Sequence, residues 1–173
     1  LNSHAGYTVG IDRSVDQTVC VLLDLEGKLV AEKVYLSRPL MIPQDLVDLI
    51  NGIVSDLCES SQIAVSEILG LGIGVSGIVN SETGEIVTSD VLLQERIPLG
   101  NLLGKQFDFP IFIENNANAA AMGENWLGHG KGVEDFLIVL VDVDRGVGGI
   151  GTGLILRNEI FRGTKFAAGE LNV

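Results

Sequence analysis

The residues with the greatest chemical potential in this 173-residue sequence lie in IENNANAAAMGE, residues 113–124. The apolar run Ile111, Phe112, Ile113 reads as a buried strand. The polar cluster Glu114, Asn115, Asn116 follows it, and then an alanine-rich helix opens. Polar side chains are thereby presented at a strand-to-helix junction, where open α/β sheets bind ligands. The asparagines can contact a ligand there, or do no more than cap the helix. A second segment, GIGTGLILRNEIFRG at 149–163, sets Gly149, Gly151 and Gly153 at alternate positions with Thr152 among them, on an expected turn between two apolar strands. Backbone N–H groups at such a turn can close around a phosphate or sugar oxygen without interference from Cβ. Alternating glycines also serve close backbone packing.

The elements that must position these residues follow from hydrophobic period. Thr8 to Ile11, Thr18 to Leu23 and Leu29 to Leu36 read as three strands, the last two joined by a turn at Glu26-Gly27. Strands this close in sequence must be antiparallel, because a parallel pair needs a crossover of about a dozen residues or more. Leu46, Ile50, Ile53, Val54 and Leu57 recur at helical spacing, so 44–60 is an amphipathic helix leading to a strand from Ile68 to Val75. A hairpin around Glu82-Thr83-Gly84, a helix at 99–106, the junction strand and a helix at 117–127 come next. In that last helix Ala117, Ala119, Ala120 and Ala121 permit close approach, and Trp126 reads as a packing residue. Asp135 to Val141, Ile150 to Leu156 and Glu159 to Phe161 open a second lobe, with the boundary near residue 114. The β-β-β-α-β order is that of an actin-like, ribonuclease-H-like α/β lobe.

Composition bounds the partners. A hydrophobic content of 46% supports one sizeable core or two small lobes. A net charge of −12 repels a phosphate backbone, so direct nucleic acid contact by this surface is not expected. Cys20 and Cys58 lie in apolar stretches without zinc-site spacing and read as buried thiols. No run approaches the roughly 20 apolar residues of a membrane span, and no signal-peptide pattern opens the sequence. A cytoplasmic protein without membrane contact is the expectation.

Three ordered motifs carry a resemblance to the ROK family, which groups sugar kinases with sugar-responsive transcriptional repressors. GLGIGVSGIVNSETGEI (70–86) resembles its G-I-G-x-P-G-x-V segment, IENNANAAAMGE its E-N-D-A-N-A-A-A-x-G-E segment, and GIGTGLILRNEIFRGTKFAAGE (149–170) its glycine hairpin running into R-G-x-x-x-x-A-G-E. The resemblance implies an actin-like ATPase fold, with 1–113 as lobe one and 114–173 as the start of lobe two. It also implies sugar contacts from Ser76, Gly77, Asn115, Asn116 and Glu170, and phosphate contacts from Asp12, Gly149, Gly151, Thr152 and Gly153.

The departures from the kinase pattern fall on the chemistry. The catalytic aspartate position is Asn116, and an amide has no useful basicity, so a general-base contribution of roughly 10² to 10⁴ in rate is lost. Glu114 and Glu124 are the nearby acids, neither at the matching position. After Gly10-Ile11-Asp12 the family's glycine pair is replaced within Arg13-Ser14-Val15-Asp16, which restricts the turn and adds charge at the expected polyphosphate position. Asp12 can still hold Mg²⁺ through water or simply form a turn. Ser76 stands where proline is usual, and Val173 where the family has histidine. The expectation is therefore a sugar-sensing effector domain of the regulator branch, with no catalytic residue, metal or cofactor. It is expected to be homodimeric and to work through a helix-turn-helix DNA-binding domain outside this segment. An ATP-dependent sugar kinase using Mg-ATP is the alternative.

Overall fold

Alternating burial along β1 (Tyr7–Arg13), β2 (Gln17–Asp24) and β3 (Leu29–Leu36) turns one side of an antiparallel meander toward the core. Tyr7, Val9, Ile11, Cys20 and Leu22 are the inward residues. These coordinates are a computed structural model. It describes residue 3 and residues 5–14, 16–37, 42–89, 92, 95–144 and 147–170, excluding the side chains of 142–144 and 147–148.

Helix α1 (Pro43–Ser61) carries the crossover. Proline at its first turn needs no hydrogen-bond partner for its nitrogen. The Asp45 carboxylate accepts from the Ile42 N–H at 3.0 Å, and Gln62 ends the helix at φ 59°. Its inner stripe, Leu46, Val47, Ile50, Ile53, Val54, Leu57 and Cys58, is buried against the sheet. Each large aliphatic side chain there contributes about 1.5–3 kcal/mol. On the outer side, Asp56 receives Lys33 and the Tyr35 hydroxyl, tying α1 to β3.

The chain then forms β4 (Ile68–Val75), the hairpin β5 (Ile78–Asn80) and β6 (Glu85–Thr88), α2 (Leu99–Leu103), and β7 (Ile111–Asn115). The five-stranded sheet runs β3-β2-β1-β4-β7, with β4 parallel to both β1 and β7. The carboxyl ends of three parallel strands therefore open on one edge. Helix α3 (Asn116–Trp126) follows β7 without a break, and β8 (Phe136–Asp144), β9 (Val147–Leu156) and β10 (Glu159–Ile160) form a second, antiparallel sheet in the order β10-β9-β8. The α/β order matches the sequence expectation; no described helix is long and apolar enough to cross a membrane.

Four expectations need correction. The junction strand runs through Glu114 and Asn115, paired with Gly74 and Val75, because these polar residues continue the β4 ladder. The second helix closes at Leu103 and not near 106. Gly149, Gly151 and Gly153 lie inside β9 and not on a turn. A Cβ at Gly151 would come 3.1 Å from the Ala117 Cβ. One at Gly153 would come 2.7 Å from the Ala121 Cβ and strike the Ala117 carbonyl oxygen. The packing use of these two glycines is the one realised. Trp126, 68% exposed, packs into no core.

Adding a methyl at Gly153 drives it into the Ala117 carbonyl of α3, so Gly153→Ala is expected to lower unfolding stability by about 1–3 kcal/mol in urea titration. Gly52, within α1, has nothing within 4 Å of its Cβ position, and Gly52→Ala is expected to raise stability by about 0.5–1 kcal/mol. Cys20 and Cys58 are buried, and burial followed by the nearby Asp12 charge pushes the Cys20 thiol up to about 12. Neither thiol is expected to react with Ellman's reagent at pH 8 until denaturant is added, when both react.

Candidate functional site

Asn115, the last residue of β7, organises the junction. Its Oδ1 accepts from the Asn118 N–H at 3.0 Å, making it the N-cap of α3. Its Nδ2 donates to the Gly77 carbonyl at 2.9 Å and to Glu170 Oε1 at 3.3 Å. One buried amide thus joins the loop after β4, the start of α3 and the end of the second-sheet segment. Both of its N–H groups are used, and its oxygen keeps one lone pair.

The loop it meets is fixed independently. Gly77 has φ +118°, and a Cβ there would strike the Thr88 carbonyl and lie 2.8 Å from the Ser89 Cα, so only glycine fits. The Ser89 hydroxyl donates to the Ser76 carbonyl at 2.7 Å. That leaves the Ser76 hydroxyl without a protein partner among the described residues.

Asn116 follows as the first residue of α3. Its Oδ1 accepts from the Ala117 N–H at 3.0 Å, while its Nδ2 has no protein partner among the described residues. Asp12 stands close by: a Cβ at Gly74, on the strand between them, would lie 3.3 Å from Asp12 Oδ1 and 3.5 Å from the Asn116 Cα. Alternation sends the neighbouring Arg13 to the other face, where its guanidinium donates to Thr18 Oγ1 at 3.0 Å and Ser37 Oγ at 2.9 Å. Burial lowers its pKa. Arg13 is a structural tie and offers no charge to a phosphate; Val15 lies outside the described residues.

The structure therefore brings Ser76, Gly77, Asn115, Asn116 and Glu170 to one junction, with Asp12 alongside. The glycine set behind them is used for packing, Gly151 and Gly153 against Ala117 at the start of α3. Thr152 donates to the Gly169 carbonyl at 2.7 Å, which seats the segment before Glu170, and Gly149 alone of the three glycines has an open Cβ position. Val173 lies outside the described residues. Among those described, no group of three His, Cys, Asp or Glu side chains is placed to hold a metal.

The two alternative acids are committed elsewhere. Glu114 Oε1 accepts from the Asn115 N–H at 2.9 Å and from Asn118 Nδ2 at 3.2 Å, and its Oε2 meets Arg162 Nε at 2.7 Å. Glu124 accepts from the His129 N–H at 2.7 Å, near the far end of α3. Arg162, Asn118 and Ser89 were not singled out from the sequence. Arg162 lies inside a recognisable motif, but its partner is 48 residues away and only the packing of the two sheets brings them together. The Asn116 amide donor and the Ser76 hydroxyl, with the Asp12 and Glu170 carboxylates beside them, complement vicinal hydroxyls, which both donate and accept.

A family model described as "ROK family" matches residues 8–172. The xylose repressor of Caldicellulosiruptor bescii is 30% identical over 171 residues, covering 99% of this chain and 42% of that protein. The xylose repressor of Bacillus subtilis is 31% identical over 173 residues, covering 98% and 42%. A ROK family glucokinase from Streptomyces griseus, solved with glucose and AMPPNP, superposes with a TM-score of 0.81 at 26% identity, covering 95% of this chain and 49% of that one. The chain thus spans less than half the length of these relatives.

Replacing Asn115 separates its two roles. Asn115→Asp keeps the capping oxygen but sets a carboxylate against the Gly77 carbonyl and Glu170, so urea unfolding is expected to show a loss of about 1–3 kcal/mol. Asn115→Ala, which loses both bridge and cap, is expected to cost about 1 kcal/mol beyond the loss of the bridge alone. Unchanged stability in the aspartate variant contradicts the bridging role.

Proposed function

The chain belongs to the ROK family, and we propose that it is the sugar-sensing part of a transcriptional regulator and not a phosphotransferase. The observation that carries this reading is Asn116. At the position that must accept a hydroxyl proton stands an amide whose Nδ2 is a pure donor. It can hold a sugar hydroxyl by its oxygen, but it cannot take that hydroxyl's proton. Similarity to two xylose repressors over nearly the whole chain supports the regulator branch, and D-xylose is the first effector to test.

In this reading the sugar lies against the Ser76–Gly77 loop, Asn115 and Asn116, with Glu170 closing from the second sheet. Because its contacts come from both sheets, the ligand favours one arrangement of the two and so shifts a pre-existing equilibrium. Operator DNA is contacted by a separate domain, in keeping with the net charge of −12 here. No cofactor is required. A symmetric dimer would present two such domains to a palindromic operator.

The kinase reading has one feature in its favour, the Asp12 carboxylate beside Asn116. The experiment pairs isothermal titration with D-xylose and D-glucose against a coupled ADP-release assay with Mg-ATP. Saturable sugar binding with no turnover is expected. Asn116→Ala is expected to weaken binding about tenfold through one or two lost hydrogen bonds. Turnover that disappears in Asp12→Asn would establish the kinase instead.

A further inference from the structure

Arg162 and Glu114 form, among the described residues, the one ion pair that joins the two sheets. Glu114 lies on β7 directly before Asn115; Arg162 lies just past β10. Their side chains are only 12% and 31% exposed. Neither charge can be stripped of its partner there without a large desolvation penalty, so the pair holds or the local packing opens. Glu114 stays fixed without Arg162, because the Asn115 N–H and Asn118 Nδ2 still bind Oε1. The movable partner is the arginine and the loop that it begins.

That loop is closed on itself. The Ala168 N–H donates to the Arg162 carbonyl at 3.1 Å, so the residue that grips Glu114 by its side chain grips the loop's return by its backbone. Two residues later Glu170 Oε1 meets Asn115 Nδ2 at 3.3 Å. A ring results: Glu114 to Arg162, Arg162 to Ala168, then Glu170 to Asn115, which is covalently next to Glu114. Each link shortens the search of the next, and the Glu170–Asn115 link, at 3.3 Å, is long and only partly buried.

We propose that Arg162 is a positioning residue of the sugar site, whose ion pair with Glu114 holds the 163–170 loop so that Glu170 meets the ligand. The proposal rests on the sugar-sensing reading for its ligand, but the ring itself does not. By linkage, a sugar that engages Glu170 also tightens the pair, so ligand occupancy and the seating of the second sheet on β7 report on one another.

The test is D-xylose titration together with amide hydrogen exchange on the wild-type protein, Arg162→Met and Arg162→Lys. In the methionine variant, xylose affinity is expected to fall about tenfold or more, and the Ala168 amide to exchange faster while those of Val9 and Ile11 in β1 stay protected. Saturating xylose is expected to slow Ala168 exchange in the wild type and in the lysine variant, which keeps the charge, but not in the methionine variant. A merely structural arginine would show no such ligand-dependent rescue. Should Arg162→Met fail to fold, Glu114→Gln removes the charge while keeping an acceptor and is read the same way. Affinity within twofold of wild type, or unaltered Ala168 exchange, overturns the proposal. If the wild type binds no sugar, the sensing reading falls, and the ligand-free exchange result still decides for or against the ring.

Discussion

Helix α3 lies against β9 at a distance that a single methyl group would forbid. Gly153 faces the Ala117 carbonyl and the Ala121 Cβ, and Gly151 faces the Ala117 Cβ, so two glycines and two alanines set the separation of helix and sheet. Because α3 begins at the residue after β7, this contact also sets where the second sheet stands relative to the carboxyl ends of β1, β4 and β7. Arg162 can reach Glu114, and Glu170 can reach Asn115, only at that separation. The small residues fix the frame, and the polar residues read it.

The junction is held by few groups, each used more than once. Asn115 caps a helix, secures a loop and receives Glu170; Glu114 takes two N–H donors and a guanidinium. Such networks have value when every member is satisfied and are costly when one is removed. They also spare the ligand the work of ordering the site. What they leave open, the Ser76 hydroxyl and the Asn116 amide, is a small set suited to hydroxyl groups and unsuited to proton abstraction. The proposed regulator reading asks no more of the site than this: that it hold a hydroxyl-bearing ligand without a base to take its proton.

Much of this was legible in the sequence where local rules apply. The period-2 burial of β1 to β3, the stripe of α1 and the order of the parallel strands follow from hydrophobic pattern. Ser76, Gly77, Asn115, Asn116 and Glu170 were recognisable from motif positions, and the structure gathers them. The glycines of β9 were misplaced onto a turn because a G-x-G-x-G run has the same composition in a turn and in a strand that must admit a helix; only tertiary packing distinguishes the two. Arg13 carried no sign that it would turn into the sheet toward Thr18 and Ser37. Arg162 was hidden for a related reason: an ion pair across 48 residues has no local signature.

The most direct test of the account is a crystal structure of the protein grown with both D-xylose and Mg-AMPPNP. The account predicts sugar hydroxyls within hydrogen-bond distance of Asn116 Nδ2, Ser76 and Glu170, with the Asn115 bridge and the Glu114–Arg162 pair intact, and no ordered triphosphate at Asp12. A sugar bound away from Asn116, or a triphosphate held against Asp12 with its γ-phosphate facing the sugar, would contradict it.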